Sequence, residues 1–189
     1  MSEGFHVHGP HDHEVEHKAH SGDPMAARVA VMTAILATIG ALISYQGGAT
    51  QNAALLHKNE AAIKRTEASD QWSFYQAKSN KQNLAELGAT LTTGKASDDY
   101  RTEVDRYKAE KEKIMADARS LEQASHDADA KSAESMHLHH RWAQSMALIQ
   151  IAIALAAITL LTRQKWLQWM AYGAGVGSLV VAALAFAHV

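Results

Sequence analysis

Six histidines crowd the start of the chain, His6, His8, His11, His13, His17 and His20, interleaved with Asp12, Glu14 and Glu16. Neutral imidazoles beside carboxylates are ligands for Zn, Ni or Cu. Their scatter fixes no common geometry, so the expectation is a disordered His-rich tail over residues 1–25 that takes up such metals incidentally, with no resident cofactor. A second group lies at His137, His139 and His140, of which only His137 and His140 share a helix face. It reads as an interfacial polar cluster. With no Cys there is no thiolate nucleophile, disulfide framework or Cys-containing zinc site. No Ser-His-Asp set, carboxylate pair or Walker pattern stands out, so the expectation is no enzyme and no catalytic residue. Lys and Arg total 18 against 20 Asp and Glu, a net charge of −2, which excludes a strongly basic nucleic-acid binder.

Two further groups have types and spacings that suit recognition or packing. Trp72, Phe74 and Tyr75 beside Gln71 form an aromatic knot. Three rings within four residues cannot share one helix face, so one side packs internally and the other meets a neighbouring subunit. Gly173 and Gly177, four apart in an apolar run, form a small-residue face for close helix approach, against a neighbouring span or another copy. Their context and the lack of a nearby Lys exclude a phosphate-cradling loop. Glu60 with Lys64 and Asp127 with Lys131 read as solvated i,i+4 pairs.

The elements that must position these residues follow from charge patterning. Residues 29–45 carry no charge and, with Ala26 and Ala27, make a span over 26–45; residues 142–162 and 166–188 are two more uncharged segments. The second and third meet outright the roughly 20 apolar residues that cross a bilayer as a helix, and the first does so by borrowing Ala26 and Ala27. Tyr45, Trp142, Trp166, Trp169 and Tyr172 lie at or near the ends of these spans, where amphipathic rings meet headgroups. The leader is long, acidic and His-rich, so the first span reads as an uncleaved anchor and not as a signal peptide. No span holds Asp, Glu, Lys or Arg at mid-depth, which argues against a proton-coupled transporter. A span between the leader and His137–His140 also prevents one chain from closing a metal site with both.

Residues 46–141 hold most of the charge and read as a long antiparallel helical hairpin, a coiled-coil-like stalk with its turn near 92–97. Gly47, Gly48 and Gly88 are the weak points of the first arm. Ser97 reads as the N-cap of the second, with Asp98 and Asp99 in its first turn. Arms over 46–91 and 97–141 are nearly equal, about 68 Å each at 1.5 Å per residue. Facing residues then have numbers that sum to about 188. The second arm shows a heptad-like seam through Tyr100, Val104, Tyr107, Ile114, Ala118, Leu121, Ser125 and Ala128, with Lys111 as a defect. For the first arm the seam expected is Leu56, Ile63, Ala77, Leu84 and Leu91, interrupted by Asp70. One thin seam is little burial for two long helices, which implies a homo-oligomer.

The stretch KNEAAIKRTEASDQWSFYQAKSNKQ, residues 58–82, follows directly on the first span. With Asn59-Glu60-Ala61 and the Ser69-Asp70-Gln71-Trp72 to Lys78 block as its most specific parts, it resembles a bacterial membrane-protein family known only as domain of unknown function 4337. The resemblance covers roughly residues 23–189 and leaves out the His-rich leader. It implies an all-α integral membrane protein with one early span, a long helical segment and two closely spaced C-terminal spans. It implies no enzymatic activity.

Arg28, Arg163 and Lys165 in short loops on one side set an orientation with the N-terminus cytoplasmic and the hairpin periplasmic in a bacterial inner membrane. Lys58, Lys64, Arg65 and Arg141 on the other side blunt that bias. The function expected is a non-enzymatic, homo-oligomeric membrane scaffold that presents its stalk to organise partners. Two alternatives remain: an oligomeric pore lined by Gln144, Gln150, Thr33 and Thr38 with a cation-capturing tail, or an accessory subunit of a larger membrane complex.

Overall fold

The computed structural model describes residues 24–187. Among these the chain forms three helices and no strand: α1 (Pro24–Leu91), α2 (Lys95–Thr162) and α3 (Lys165–Phe186). Pro24 opens α1, a position where the missing N–H has no intrahelical acceptor to lose. The composition changes after residue 45 and before residue 142, but the backbone does not. α1 and α2 each run 68 residues unbroken. Gly47 and Gly48 are accommodated inside α1. All three helices contain a stretch long and apolar enough to cross a membrane.

The turn between α1 and α2 is short. Gly94 takes the left-handed conformation (φ 64°), which glycine adopts without steric cost. The Thr92 N–H and its hydroxyl both donate to the Gly88 carbonyl, at 3.1 and 2.7 Å, and close the end of α1. Ser97 is not the N-cap expected from its type, because α2 already begins at Lys95. Its hydroxyl instead donates to the Ala89 carbonyl across the turn (2.9 Å). Between α2 and α3 only Arg163 and Gln164 are non-helical, and Arg163 takes the left-handed conformation (φ 55°) that lets so tight a link reverse the chain.

Two compact units divide the chain. Among the described residues, one is built from residues 24–52 and 135–187, the other from Ala53–Glu134.

In the unit over Ala53–Glu134, burial on α2 follows alternating three- and four-residue steps through Val104, Ala118, Ser125, Ala128 and Ser132. Tyr107, Lys111, Ile114 and Leu121 fill the half-buried positions of the same row. On α1 the buried residues are Ala54, Ala61, Ala68 and Ala85, each 4% exposed or less. His57, Lys64, Gln71, Tyr75, Lys78 and Gln82 complete that row, again in threes and fours. The spacing is that of a left-handed coiled coil. Its knobs are small, so the backbones approach closely enough for side chain to reach main chain. The Ser125 hydroxyl donates to the Ala61 carbonyl (2.9 Å) and the Ser132 hydroxyl to Ala54 (2.8 Å). With Ser97 to Ala89, these bridges join residues whose numbers sum to 186 and not 188, so each α2 residue faces a position two earlier on α1 than equal arms imply: Ser132 meets Ala54 in place of Leu56.

The other unit packs parts of α1 and α2 with α3 around two apolar clusters. Leu36, Ile43, Trp142, Ile149, Ala152 and Ala185 form one. Ala26, Val29, Ala156, Leu160 and Ala171 form the other. Buried α3 positions carry Leu167, Ala171, Gly175, Ser178 and Ala185, all but the first small. Ser145 and Ser178 clasp reciprocally: each hydroxyl donates to the other's carbonyl at 2.8 Å, and both residues are fully buried. The exchange satisfies two hydroxyls that would otherwise sit unpaired in an apolar core.

Candidate functional site

The α1 seam expected from its leucines is not the one the fold uses. Leu56, Ile63, Leu84 and Leu91 are 69, 57, 69 and 76% exposed. The inward row lies two residues earlier in each heptad, at buried Ala54, Ala61 and Ala68 and half-buried Tyr75, Gln82 and Ala89. Two residues turn a helix by about 200°, so the leucine row points away from the partner arm. Ala77 shares the outer row, and Asp70, also exposed, interrupts it. Phe74, Leu55 and Leu87 are exposed on α1 as well. The α1 side of the hairpin seam is therefore made of small and polar residues, while Leu56, Ile63, Leu84 and Leu91 form a second heptad row on α1 with no partner among the described residues. That outer row is the candidate interaction surface.

Ion pairs cross between the arms, at the exposed edge of the seam for Lys58 and Arg65 and within the inner row for Lys78. Asp129 accepts from Lys58 (2.8 Å) and Arg65 (3.1 Å). Glu110 pairs with Lys78. The hydrogen bond from Lys58, reinforced by its charge and that of Arg65, holds the Asp129 carboxyl below its ordinary value; Lys78 does the same for Glu110. Lys111, a defect by composition, lies over the Tyr75 ring at 5.0 Å from its centroid. The i,i+4 pairs expected from sequence give way to other partners: Lys64 pairs with Glu67 (2.9 Å), and Asp127 accepts from Gln123 (2.8 Å).

The aromatic knot divides between two faces. Trp72 and Tyr75 are half-buried and meet edge to face, 5.6 Å between centroids, and the Trp72 Nε1–H donates to Glu122 (2.8 Å). Phe74 is turned outward. On α2, Val104 is buried, and Tyr107, Ile114 and Leu121 are half-buried in the seam. Tyr100 stays 39% exposed because it lies flat over Gly88, where a Cβ would come within 2.9 Å of its ring. Gly88, a weak point by propensity, is the cradle for that ring.

Within the chain, the expected Gly173 and Gly177 face is not the one in close contact. A Cβ at Gly173 would meet nothing within 4 Å, and one at Gly177 only the tip of Leu148. Gly175 is the packed glycine, its Cβ position 3.1 Å from Leu36. The small residues beside it, Ala171 and Ser178, mark that face in a way the Gly pair hides. Trp142 is buried against Ile43, and Gly47 faces its Cβ at 3.4 Å. Trp166, Trp169 and Tyr45 are exposed.

His6, His8, His11, His13, His17 and His20 lie outside the described residues. Among the described residues, no group of three His, Cys, Asp or Glu could hold a metal ion. His139 has a different partner. Its Nδ1 lies 2.9 Å from the Gly47 carbonyl, which can only accept, so the proton sits on Nδ1.

No curated protein and no solved structure matches the chain. A family model does, over residues 25–188, which include the 58–82 stretch and both apolar ends. The chain belongs to the family described as domain of unknown function DUF4337.

Proposed function

We propose that the protein is a homo-oligomeric membrane scaffold: three spans fix it in a bilayer, and the paired arms of α1 and α2 form a stalk that spaces or organises partners. The observation that carries this reading is the outer row of α1. A water-exposed helix face with large aliphatics every seven residues is costly to leave solvated, and its period is that of a coiled-coil seam. Identical copies held by parallel membrane anchors present the same row at the same height, so each copy is a matching partner for the next. Support for the bilayer placement comes from three apolar stretches of sufficient length, with exposed side chains such as Val31, Ile35, Ile158, Val176 and Val180 over them. In this reading Arg28, Arg163 and Lys165 favour a cytoplasmic side for the N-terminus and the α2–α3 link, with the stalk on the other side.

The test is the mass of the detergent-extracted particle by native mass spectrometry. A defined multiple of the chain mass is the expected outcome, and a monomer overturns the reading. The pore alternative parts from it in planar bilayers: the scaffold leaves the membrane insulating, and steps of conductance from the purified oligomer would replace it with a channel.

A further inference from the structure

We propose that the ends of α1 and α3 form a binding site for one anionic phospholipid; the inference rests on the membrane placement proposed above. A groove of about 500 Å³ is lined by Ala27, Val31, Met32, Ile35 and Leu36 of α1, with Arg28 and Tyr172 at its mouth. A second cavity of about 420 Å³ shares Arg28 and Tyr172 and adds Lys165, Gln168 and Trp169 of α3 with Pro24 and Met25. The two are contiguous, and their chemistry is opposite. One is an aliphatic trough; the other gathers two cations, an amide and two amphipathic rings.

Length fits one leaflet. The aliphatic surface continues past Ile35 along Ala34, Thr38 and Ile39. From Ala27 to Ile39 the helix rises about 18 Å at 1.5 Å per residue, against about 15 Å for half of a 30 Å hydrocarbon core. The hydroxyl facing this surface is already satisfied, since Thr38 donates to the Ala34 carbonyl (2.9 Å). The trough therefore asks for a chain without polar groups.

Charge decides the head. Arg28 and Lys165 have no carboxylate partner among the described residues. A guanidinium and an ammonium beside the same cavity attract a phosphodiester, to which Arg can donate two parallel hydrogen bonds. The first turn of α3 has no side-chain cap at Gln164, so its N–H groups add to a positive mouth. A zwitterionic lipid brings its own cation into that cluster, while phosphatidylglycerol brings only the anion. The site thus selects by net headgroup charge and holds the acyl chain by shape.

The test uses the full chain. Membranes are first washed with alkaline carbonate; the protein is then extracted and titrated with phosphatidylglycerol or phosphatidylcholine of identical chains, and adducts are read by native mass spectrometry. Wild type is expected to prefer phosphatidylglycerol by about tenfold or more, the scale that two cations near a lipid surface give. Arg28→Gln with Lys165→Gln should bring the two lipids level. Lys113→Gln with Lys131→Gln, the same change of charge on α2 away from the groove, should keep the preference. Val31→Trp, which fills the trough, should weaken both lipids. Equal affinity in wild type, or a preference that survives the Arg28/Lys165 pair, overturns the site while leaving the membrane placement standing. Release of the protein by carbonate overturns both.

Discussion

At the scale of single residues, closeness of approach decides what a position tolerates. Gly175 of α3 is buried with Leu36 at 3.1 Å from its Cβ position, whereas the same construction at Gly173 meets open space. Gly175→Leu must force Leu36 and the neighbouring backbone apart. Overpacking of this kind costs roughly 1–3 kcal/mol, and a clear drop in melting temperature of the detergent-solubilised protein is expected. Gly173→Leu should leave melting unchanged or raise it slightly through better helix propensity. The reverse order of effects would restore the Gly173/Gly177 face that the sequence pattern points to. The same logic explains Ser97, Ser125 and Ser132. Each is small enough to let two helices close, and each carries a hydroxyl that finds a carbonyl on the facing helix.

At the scale of the paired arms, the charged seam makes stability depend on acid. Asp129 and Glu110 are held below their ordinary values of 3.8 and 4.5 by Lys58 and Lys78 respectively. A carboxyl with a depressed folded value binds protons less readily folded than unfolded. Its stabilisation is therefore complete above the ordinary value and is lost as pH falls through and below it. The arms should melt at progressively lower temperature from about pH 4.5 downward, while wild type changes little between pH 6 and pH 8 through these groups. Asp129→Asn removes one of the two carboxylates. Its melting temperature at neutral pH should be lower, and its decline into acid shallower, than those of wild type. A parallel decline in both would show that the Lys58 and Arg65 contacts contribute nothing. The pattern also shows what the sequence made legible. Arm length, turn position and, to within two residues, register follow from counting residues between Gly94 and the charge-free ends, and the α2 seam from Val104 to Ala128 is apolar enough to be read directly. The α1 seam is not, because it is built of Ala with His57, Lys64, Gln71 and Lys78 between. Leucine marks a buried face only where large knobs fill the gap. Here the gap is too narrow for them, and the leucines were displaced to the outer face, where the eye takes them for the core.

For the whole molecule, that displaced row sets the strongest expectation about assembly. If copies stand parallel in one membrane, Leu56, Ile63, Leu84 and Leu91 of one α1 meet the same residues of the next. Each large side chain so covered contributes roughly 1 kcal/mol or more, and the cost of association falls because the anchors already confine and orient the copies. Asp70 sits in the same row and interrupts it. Bringing copies together there places like charges near one another, which weakens the contact at mid-row. Two substitutions therefore act in opposite directions without touching the seam between α1 and α2. Leu84→Asp should dissociate the native assembly toward monomer, with the helix content and melting of the individual chain retained. Asp70→Leu closes the gap and should shift the assembly to lower protein concentration, by about tenfold for each 1.4 kcal/mol gained. Mass distributions across a dilution series in detergent measure both. Were Leu84→Asp to leave the distribution unchanged while Asp70→Leu merely caused aggregation, the row would have no specific partner in a second copy, and the oligomer would have to be held through its apolar helices instead.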